Sequence, residues 1–213
     1  MPLRRTIYKL NVRHRYVEQL VLKAYTMLPY IDFPLNPELL IEQIPNCKYL
    51  TYQKFAEINQ CSIKEVVQIC ESTSGCTHYD IAKDRYLIIC NESAYCKMNP
   101  GRLRWTKSHE IGHVFCNHHS LSAYDKLSEH NFLNLADSEF ESEADYFAAT
   151  FLAPFPLYEE LKIGTIGGIQ NAFGLSTEAA TYRYESYIRW KQHHVKASWE
   201  HDMVHIFREK YIF

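Results

Sequence analysis

His109-Glu110-Ile111-Gly112-His113 places two imidazoles four positions apart, with a carboxylate directly after the first. On a helix such a pair shares one face, with Cβ atoms about 5–6 Å apart. Both rings then reach one zinc ion at about 2.0–2.1 Å. Glu110 lies beside the metal-bound water and is placed to take its proton, as a zinc peptidase requires. Gly112 adds no side chain where bulk would crowd the site. With 11 His in 213 residues, spaced pairs arise by chance, so context must support the motif. It does: Asn99-Pro100 offers an N-cap and a proline at the first helical position, and the pattern predicts a helix to about His118.

A catalytic zinc needs a third protein ligand and an open position for water. His119 lies six residues after His113, the spacing used when a helix breaks at a glycine and a third His swings back. The residue at the breaking position is Cys116, and the sequence pattern shows no break there. Glu141, in Ser138-Glu-Phe-Glu-Ser-Glu-Ala-Asp145, is the stronger candidate. Glu141 and Asp145 are four apart and share a helical face. Glu141 as ligand leaves Asp145 to accept a hydrogen bond from the far nitrogen of a ligating His and fix its tautomer. Glu143 and His119 remain alternatives. Ser138-x-x-Glu141 also reads as a capping box, in which Glu141 only reaches back to a helix start. His201 and His205 are also four apart, but no Glu follows His201 and no helix is evident, so no second metal site is expected there.

The elements that must hold these residues alternate in type. Apolar spacing predicts helices over 15–28, a short one after Asn36-Pro37, one from Ser62 to about Glu71, and one over 138–153 stopped by Pro154. Residues 166–173 and 177–190 read as helix, turn, helix around Gly174-Leu175-Ser176. Strands are predicted over 48–52 and as a hairpin of 76–80 and 85–90. The class is α+β, a small, mostly antiparallel sheet on a helical body. Residues 1–190 read as one domain and 191–213 as a tail whose role is not legible, its last residues patterned like a strand. The strand Arg85–Cys90 runs directly into the zinc helix and is expected to form a sheet edge beside the metal, where a substrate peptide adds as a strand.

Several stretches resemble one family. Arg104-Trp-Thr106-Lys-Ser-His109-Glu-Ile-Gly-His113-Val-Phe-Cys-Asn-His118 is similar to the HExxH helix of the ImmA/IrrE metallopeptidases, with an Arg and a Thr before the motif and a His five residues after its second His. Glu141-Ser-Glu-Ala-Asp145-Tyr-Phe-Ala148-Ala-Thr-Phe-Leu152-Ala-Pro154 resembles their second helix, and Phe173-Gly-Leu-Ser176 with Ala179 and Arg183 the segment after it. The resemblance runs in order from about residue 75 to 189. It implies a minimal zincin-like fold, with His109, His113 and Glu141 as zinc ligands, Glu110 as general base and Asp145 behind the ligands. It further implies a cytoplasmic regulator of bacteria and their mobile elements that cleaves a helix-turn-helix repressor. Ala153-Pro154 departs from the family's usual Met-Pro, at a position that reads as structural.

Composition agrees with an intracellular enzyme. A net charge of -2 leaves no excess of basic charge for nucleic acid or an anionic membrane. No targeting segment or apolar run of about 20 residues is evident. Seven cysteines without a Cys-x-x-Cys read as reduced, mostly buried thiols. Of 16 tyrosines, Tyr182, Tyr184 and Tyr187 are the pool from which an oxyanion donor is expected if one exists, though packing or surface roles are the simpler reading. Two rivals to the peptidase are a metal-bound adaptor that binds a repressor without cutting it and a DNA-binding module. The helix-turn-helix spacing of 166–190 invites the second, but Glu178 and Glu185 offset Arg183 and Arg189 on the presumed recognition helix.

Overall fold

Side-chain caps start several of the helices. The computed structural model describes residues 12–93, 99–121, 126–127, 135–193 and 198–212. Helix α1 is His14–Met27 and α2 is Glu38–Ile41. Strand β1, Cys47–Thr51, runs into α3, Tyr52–Asn59, where the Thr51 hydroxyl accepts the Lys54 N–H. Ser62 and Glu65 form a reciprocal capping box at the start of α4, Ile63–Cys70. Strands β2, Gly75–Asp80, and β3, Arg85–Cys90, make the predicted hairpin. Helix α5, Pro100–Phe115, opens on Asn99, whose side chain accepts the Arg102 N–H. The remaining elements are α6, His118–Leu121; β4, Lys126–Leu127; α7, Leu135–Leu152; α8, Pro156–Glu160; α9, Ile166–Phe173; α10, Thr177–His193; and α11, Ser198–Lys210.

The sheet order is β1-β3-β2-β4. β1 pairs with β3 in parallel, whereas β2 is antiparallel to both β3 and β4. The fold is therefore α+β with a small mixed sheet, compatible with a minimal zincin-like fold. The expectation that β3 forms an edge beside the metal fails: Cys47–Thr51 pair with one side of it and Gly75–Asp80 with the other. β2, not β3, carries the sheet toward α5's chemical residues, and β4 covers Thr77 and His78 on its far side.

α5 lies between the sheet and α7, and residues Thr106–Val114 are buried. Ile111, Ile88, Phe147 and Phe151 join Val17, Val21, Trp199 and Met203 in the main core. A second cluster, around Tyr158, Phe173 and Tyr187, binds α8 to α10 together. Arg104 of α5 donates to the Gly174 carbonyl at the α9–α10 turn, where Gly174 takes a positive φ of 60°. The Arg183 guanidinium donates to the Ala153 carbonyl and lies over the Phe155 ring. These contacts give physical roles to two arginines of the resembling motifs.

Three sequence expectations need correction here. α5 ends at Phe115 and a new turn starts at His118, so the helix does break near Cys116. Asn117 makes the break with a φ of 56°, a conformation Asn tolerates better than most non-glycine residues. The capping-box reading of Ser138 is excluded, because α7 already begins at Leu135. Residues 198–210 form a helix, and Trp199, Met203 and Phe207 enter the main core, while Tyr211 makes an isolated bridge to Ile31.

Gly112 serves packing and not an open site. A Cβ there would lie 3.0 Å from Ala144 Cα and 3.1 Å from the Ala144 carbonyl oxygen, both backbone atoms of α7. Helix propensity favours Ala over Gly by about 1 kcal/mol, but overpacking costs about 1–3 kcal/mol. Gly112→Ala is therefore expected to lower the free energy of unfolding in urea. A variant at least as stable as the parent would refute this close approach.

Candidate metal centre

α5 and α7 pack face to face and bring three donors from two helices together. His109 Nε2 lies 3.1 Å from His113 Nε2 and 3.1 Å from Glu141 Oε2, and His113 Nε2 lies 3.4 Å from Glu141 Oε1. Tetrahedral ligands at 2.0–2.1 Å from an ion are separated from one another by about 3.3–3.4 Å. The two imidazole nitrogens and the Glu141 carboxylate, one oxygen facing each ring, thus lie close to the separations that a tetrahedral zinc requires. His109 and His113 are buried and Glu141 is nearly so, at 13% side-chain exposure.

Charge supports the same fit. Burial opposes protonation of His109, but hydrogen bonds to Asp145 and Glu141 and the charges of Glu110 and Glu141 outweigh it, so its pKa lies well above that of free imidazole. A buried cluster that draws a proton onto one imidazole is a cluster that favours a cation. His113 is pushed the other way by burial and by the neighbouring imidazoles, so it stays neutral, the form that binds a metal.

Each ring is held from behind. His109 Nδ1 lies 2.9 Å from Asp145 Oδ1, the pairing expected from sequence. His113 Nδ1 lies 2.9 Å from His118 Nδ1, and His118 Nε2 lies 3.1 Å from Glu143 Oε2. With His113 Nε2 turned to the cluster, this network assigns a proton to His113 Nδ1, makes His118 Nδ1 an acceptor, and puts the His118 proton on Nε2. His118 is driven neutral chiefly by burial, which fits that assignment. Glu143 ends the relay on Arg13, which gives its guanidinium to both oxygens at 2.8 and 2.7 Å and its backbone N–H at 3.0 Å. Burial alone would raise the Glu143 carboxyl, but the hydrogen bonds from Arg13 and His118 hold it well below the usual range.

Glu143 is thus engaged away from the donor cluster. His119, although the helix breaks before it, turns Nε2 to the Thr77 carbonyl at 3.1 Å, because the break at Asn117 aims His118 and not His119 at His113. Cys116, His118 and Glu143 also bring ligand-type atoms within 4.8 Å of one another. They fit a metal poorly: Glu143 is saturated by Arg13, and burial pushes the Cys116 thiol up to about 12 when a ligating sulfur must be thiolate. His201 and His205 lie on α11, exposed, with His205 paired to Glu209.

Glu110 is buried, and its Oε2 lies 2.6 Å from the Thr77 hydroxyl. Sequence reasoning missed Thr77, Arg13 and the role of His118. Of the tyrosine pool, Tyr187 packs in the second core cluster and Tyr184 lies against it, while Tyr182 is 69% exposed on a groove of about 680 Å³. That groove also includes Trp105, Asp145, Leu152 and Leu175, so Asp145 is shared between it and the donor cluster. Cys47, Cys61, Cys70, Cys76, Cys90 and Cys116 are free thiols.

The model of a peptidase family described as the IrrE N-terminal-like domain matches residues 67–185, more than half of the chain. The chain belongs to this family. The matched segment runs from the end of α4 to the middle of α10 and holds Thr77, the HExxH helix, His118, Glu141 and Asp145. Membership in this metallopeptidase family implies a metal, and the donor cluster described above fits one. No curated relative matches the chain. No helix among the described residues is long and apolar enough to cross a membrane.

Arg13 lies outside the matched segment yet neutralises the Glu143 carboxylate. Arg13→Ala leaves that buried charge with His118 as its remaining side-chain partner. The expected loss of unfolding free energy is about 1–3 kcal/mol, below the value for a fully buried pair because Arg13 is 41% exposed. Arg13→Lys should recover only part, since an ammonium cannot pair both oxygens in one plane. Chemical denaturation of the metal-free protein measures this, and an unchanged Arg13→Ala midpoint would show that the pair adds nothing.

Proposed function

We propose that this protein is a cytoplasmic zinc-dependent endopeptidase that cleaves a helix-turn-helix transcriptional repressor at a specific site. The observation that carries the chemistry is the His109–His113–Glu141 donor set close to tetrahedral spacing with Glu110 next to His109 on the same helix. Two His and one Glu are a catalytic zinc set. When bound there, zinc would acidify a water and polarise the scissile carbonyl. Glu110 takes the proton of the attacking water and passes it to the leaving amine. Asp145 and His118 keep the His109 and His113 rings in the tautomers that present Nε2.

The repressor rests on the resemblance of the motifs to those of ImmA/IrrE proteins and on no feature of the geometry. What supports selectivity is the groove along α7 and α10, which adjoins Asp145 and offers a partner surface an apolar seat. A direct DNA-binding role for α9 and α10 is disfavoured, since Arg183 is spent inside the fold on Ala153 and Phe155. The intact Glu110 favours cleavage over an adaptor that only binds.

The purified protein should hold one zinc per chain by elemental analysis. His109→Ala and Glu141→Ala should lose zinc affinity far more than Glu143→Ala or His119→Ala, and Asp145→Ala should weaken it by roughly 10–100-fold. Glu110→Gln should keep the metal and lose about 10²–10⁴-fold in rate. Equal zinc in the parent and His109→Ala would sink the site.

The substrate is tested by incubating the zinc-loaded protein with casein and with a helix-turn-helix repressor encoded beside it. Cleavage of the repressor at one bond, abolished in Glu110→Gln, is expected. Rapid digestion of casein with an untouched repressor would overturn the selectivity, and tight binding without cleavage of either would establish the adaptor.

A further inference from the structure

We infer that Thr77 is a positioning residue for peptide hydrolysis: its hydroxyl fixes the carboxylate of Glu110, and β2 is docked on α5 at Gly75 and held by His119 of α6 so that this bond forms. The inference rests on the reading of Glu110 as the proton carrier.

The bond is short and buried. Thr77 is fully buried, and its Oγ1 lies 2.6 Å from Glu110 Oε2, the length of a charge-assisted O–H···O⁻ bond. The same Oγ1 lies 3.1 Å from the Glu110 main-chain carbonyl. A hydroxyl carries one proton, and the nearer, charged acceptor takes it. The hydroxyl therefore ties the Glu110 side chain to β2, beside the helix that also carries His109 and His113. A carboxylate that moves a proton during a reaction gains most from being held in one orientation, because each misplacement is a loss of productive geometry.

The strand delivers this hydroxyl through a matched spacing. Gly75, Thr77 and Tyr79 alternate onto one face of β2. Two strand residues advance about 6.8 Å, and four helix residues about 6.0 Å. Gly75 accordingly meets Thr106, and Thr77 meets Glu110, four residues on. A Cβ on Gly75 would lie 2.9 Å from Thr106 Cγ2 and 3.1 Å from the Ile89 carbonyl oxygen, so only glycine permits this approach. Beyond Thr77, the His119 ring holds the Thr77 carbonyl, and it lies 6.2 Å from the Tyr79 ring, centroid to centroid. Valine would fill the same volume as threonine, so packing alone gives no reason for the hydroxyl.

The test uses Thr77→Val, Thr77→Ala and Thr77→Ser beside Glu110→Gln, all zinc-loaded and checked for fold by circular dichroism. Infrared spectra of protein labelled with ¹³C-glutamate identify the Glu110 carboxylate band by its loss in Glu110→Gln. That band should shift in Thr77→Val and Thr77→Ala and return in Thr77→Ser. On a pool of quenched fluorogenic peptides, kcat should fall about 10–100-fold in the hydroxyl-free variants, as for other supporting hydrogen bonds. KM and zinc affinity should stay near the parent values, and Thr77→Ser should recover most of kcat. An unmoved band, or an unchanged kcat where Glu110→Gln is inactive, would overturn this inference alone. A parent that cleaves no peptide, or a Glu110→Gln variant as active as the parent, would overturn the proton-carrier reading and this inference with it.

Discussion

A buried helix that carries polar side chains dictates its surroundings. Residues Thr106–Val114 of α5 are buried, and Thr106, Lys107, Ser108, His109, Glu110 and His113 among them are polar. Charged and polar groups out of water are costly unless paired. The neighbours of α5 answer that demand for its four buried ionisable side chains, Lys107, His109, Glu110 and His113, while the Ser108 hydroxyl stays buried without a hydrogen-bond partner among the described residues. Lys107 pairs with Glu38 of α2 and with Glu92 after β3, under the Tyr49 ring. Glu110 meets Thr77 of β2, His109 meets Asp145 of α7, and His113 meets His118 of α6. Partners thus arrive from several sides, and the elements that bring them are those that make the fold. Glu141 adds a carboxylate between the two imidazoles, which gives the cluster its appetite for a cation.

Such pairing needs backbones to approach closely, and two glycines allow it on different neighbours of α5. Gly112 lets α7 come within contact of its backbone, which places Glu141 and Asp145 at hydrogen-bonding distance from His109. Gly75 lets β2 come down on Thr106, which places Thr77 at Glu110. At Gly112 the crowding atoms are backbone of α7, and at Gly75 they are the Thr106 methyl of α5 and the Ile89 carbonyl oxygen of β3, so an added methyl group has little room at either position. The donor geometry and the packing are one constraint, since a shift of α7 or β2 that relieved a clash would also lengthen the bonds that satisfy buried charges.

Much of this was legible in the sequence because it is local. The Asn99-Pro100 start, the Ser62–Glu65 box, the hairpin and the four-residue spacings of His109–His113 and Glu141–Asp145 all depend on residues a few positions apart. The pairing of His109 with Asp145 follows from chemistry once the two helices are supposed to meet. What was not legible depends on contacts far apart in the chain. Arg13 and Glu143 are 130 residues apart, and Thr77 and Glu110 are 33 apart, with no local pattern to mark either pair. The interior position of β3 was missed because its neighbour β1 comes from before α3 and α4 and joins in parallel, which a hairpin pattern cannot announce. The break at Asn117 is not marked by glycine, the residue that usually signals a positive φ, although Asn also adopts one. Once the chain turns there, the choice of His118 over His119 is geometric: one ring faces α5 and α7, the other faces β2.

The two imidazoles of the donor set are supported in different ways, and the difference bears on how the site is kept. His109 leans on Asp145, whose side chain is 58% exposed and borders the groove, so water or a bound partner can reach the carboxylate that steadies it. His113 leans on a sealed series, His118 to Glu143 to Arg13, in which the first two side chains are buried and His118 stacks on Phe140 at 4.6 Å between centroids. The sealed series ends on a residue before α1, outside the segment that defines the family. Glu143 would be an uncompensated buried charge without the Arg13 guanidinium, and an uncompensated charge there would favour a proton on His118 and disturb the tautomer that His113 needs. The chain ahead of the matched segment is therefore part of the centre's electrostatics: α1 packs on α7, and that packing delivers the cation that keeps the far end of the relay neutral overall.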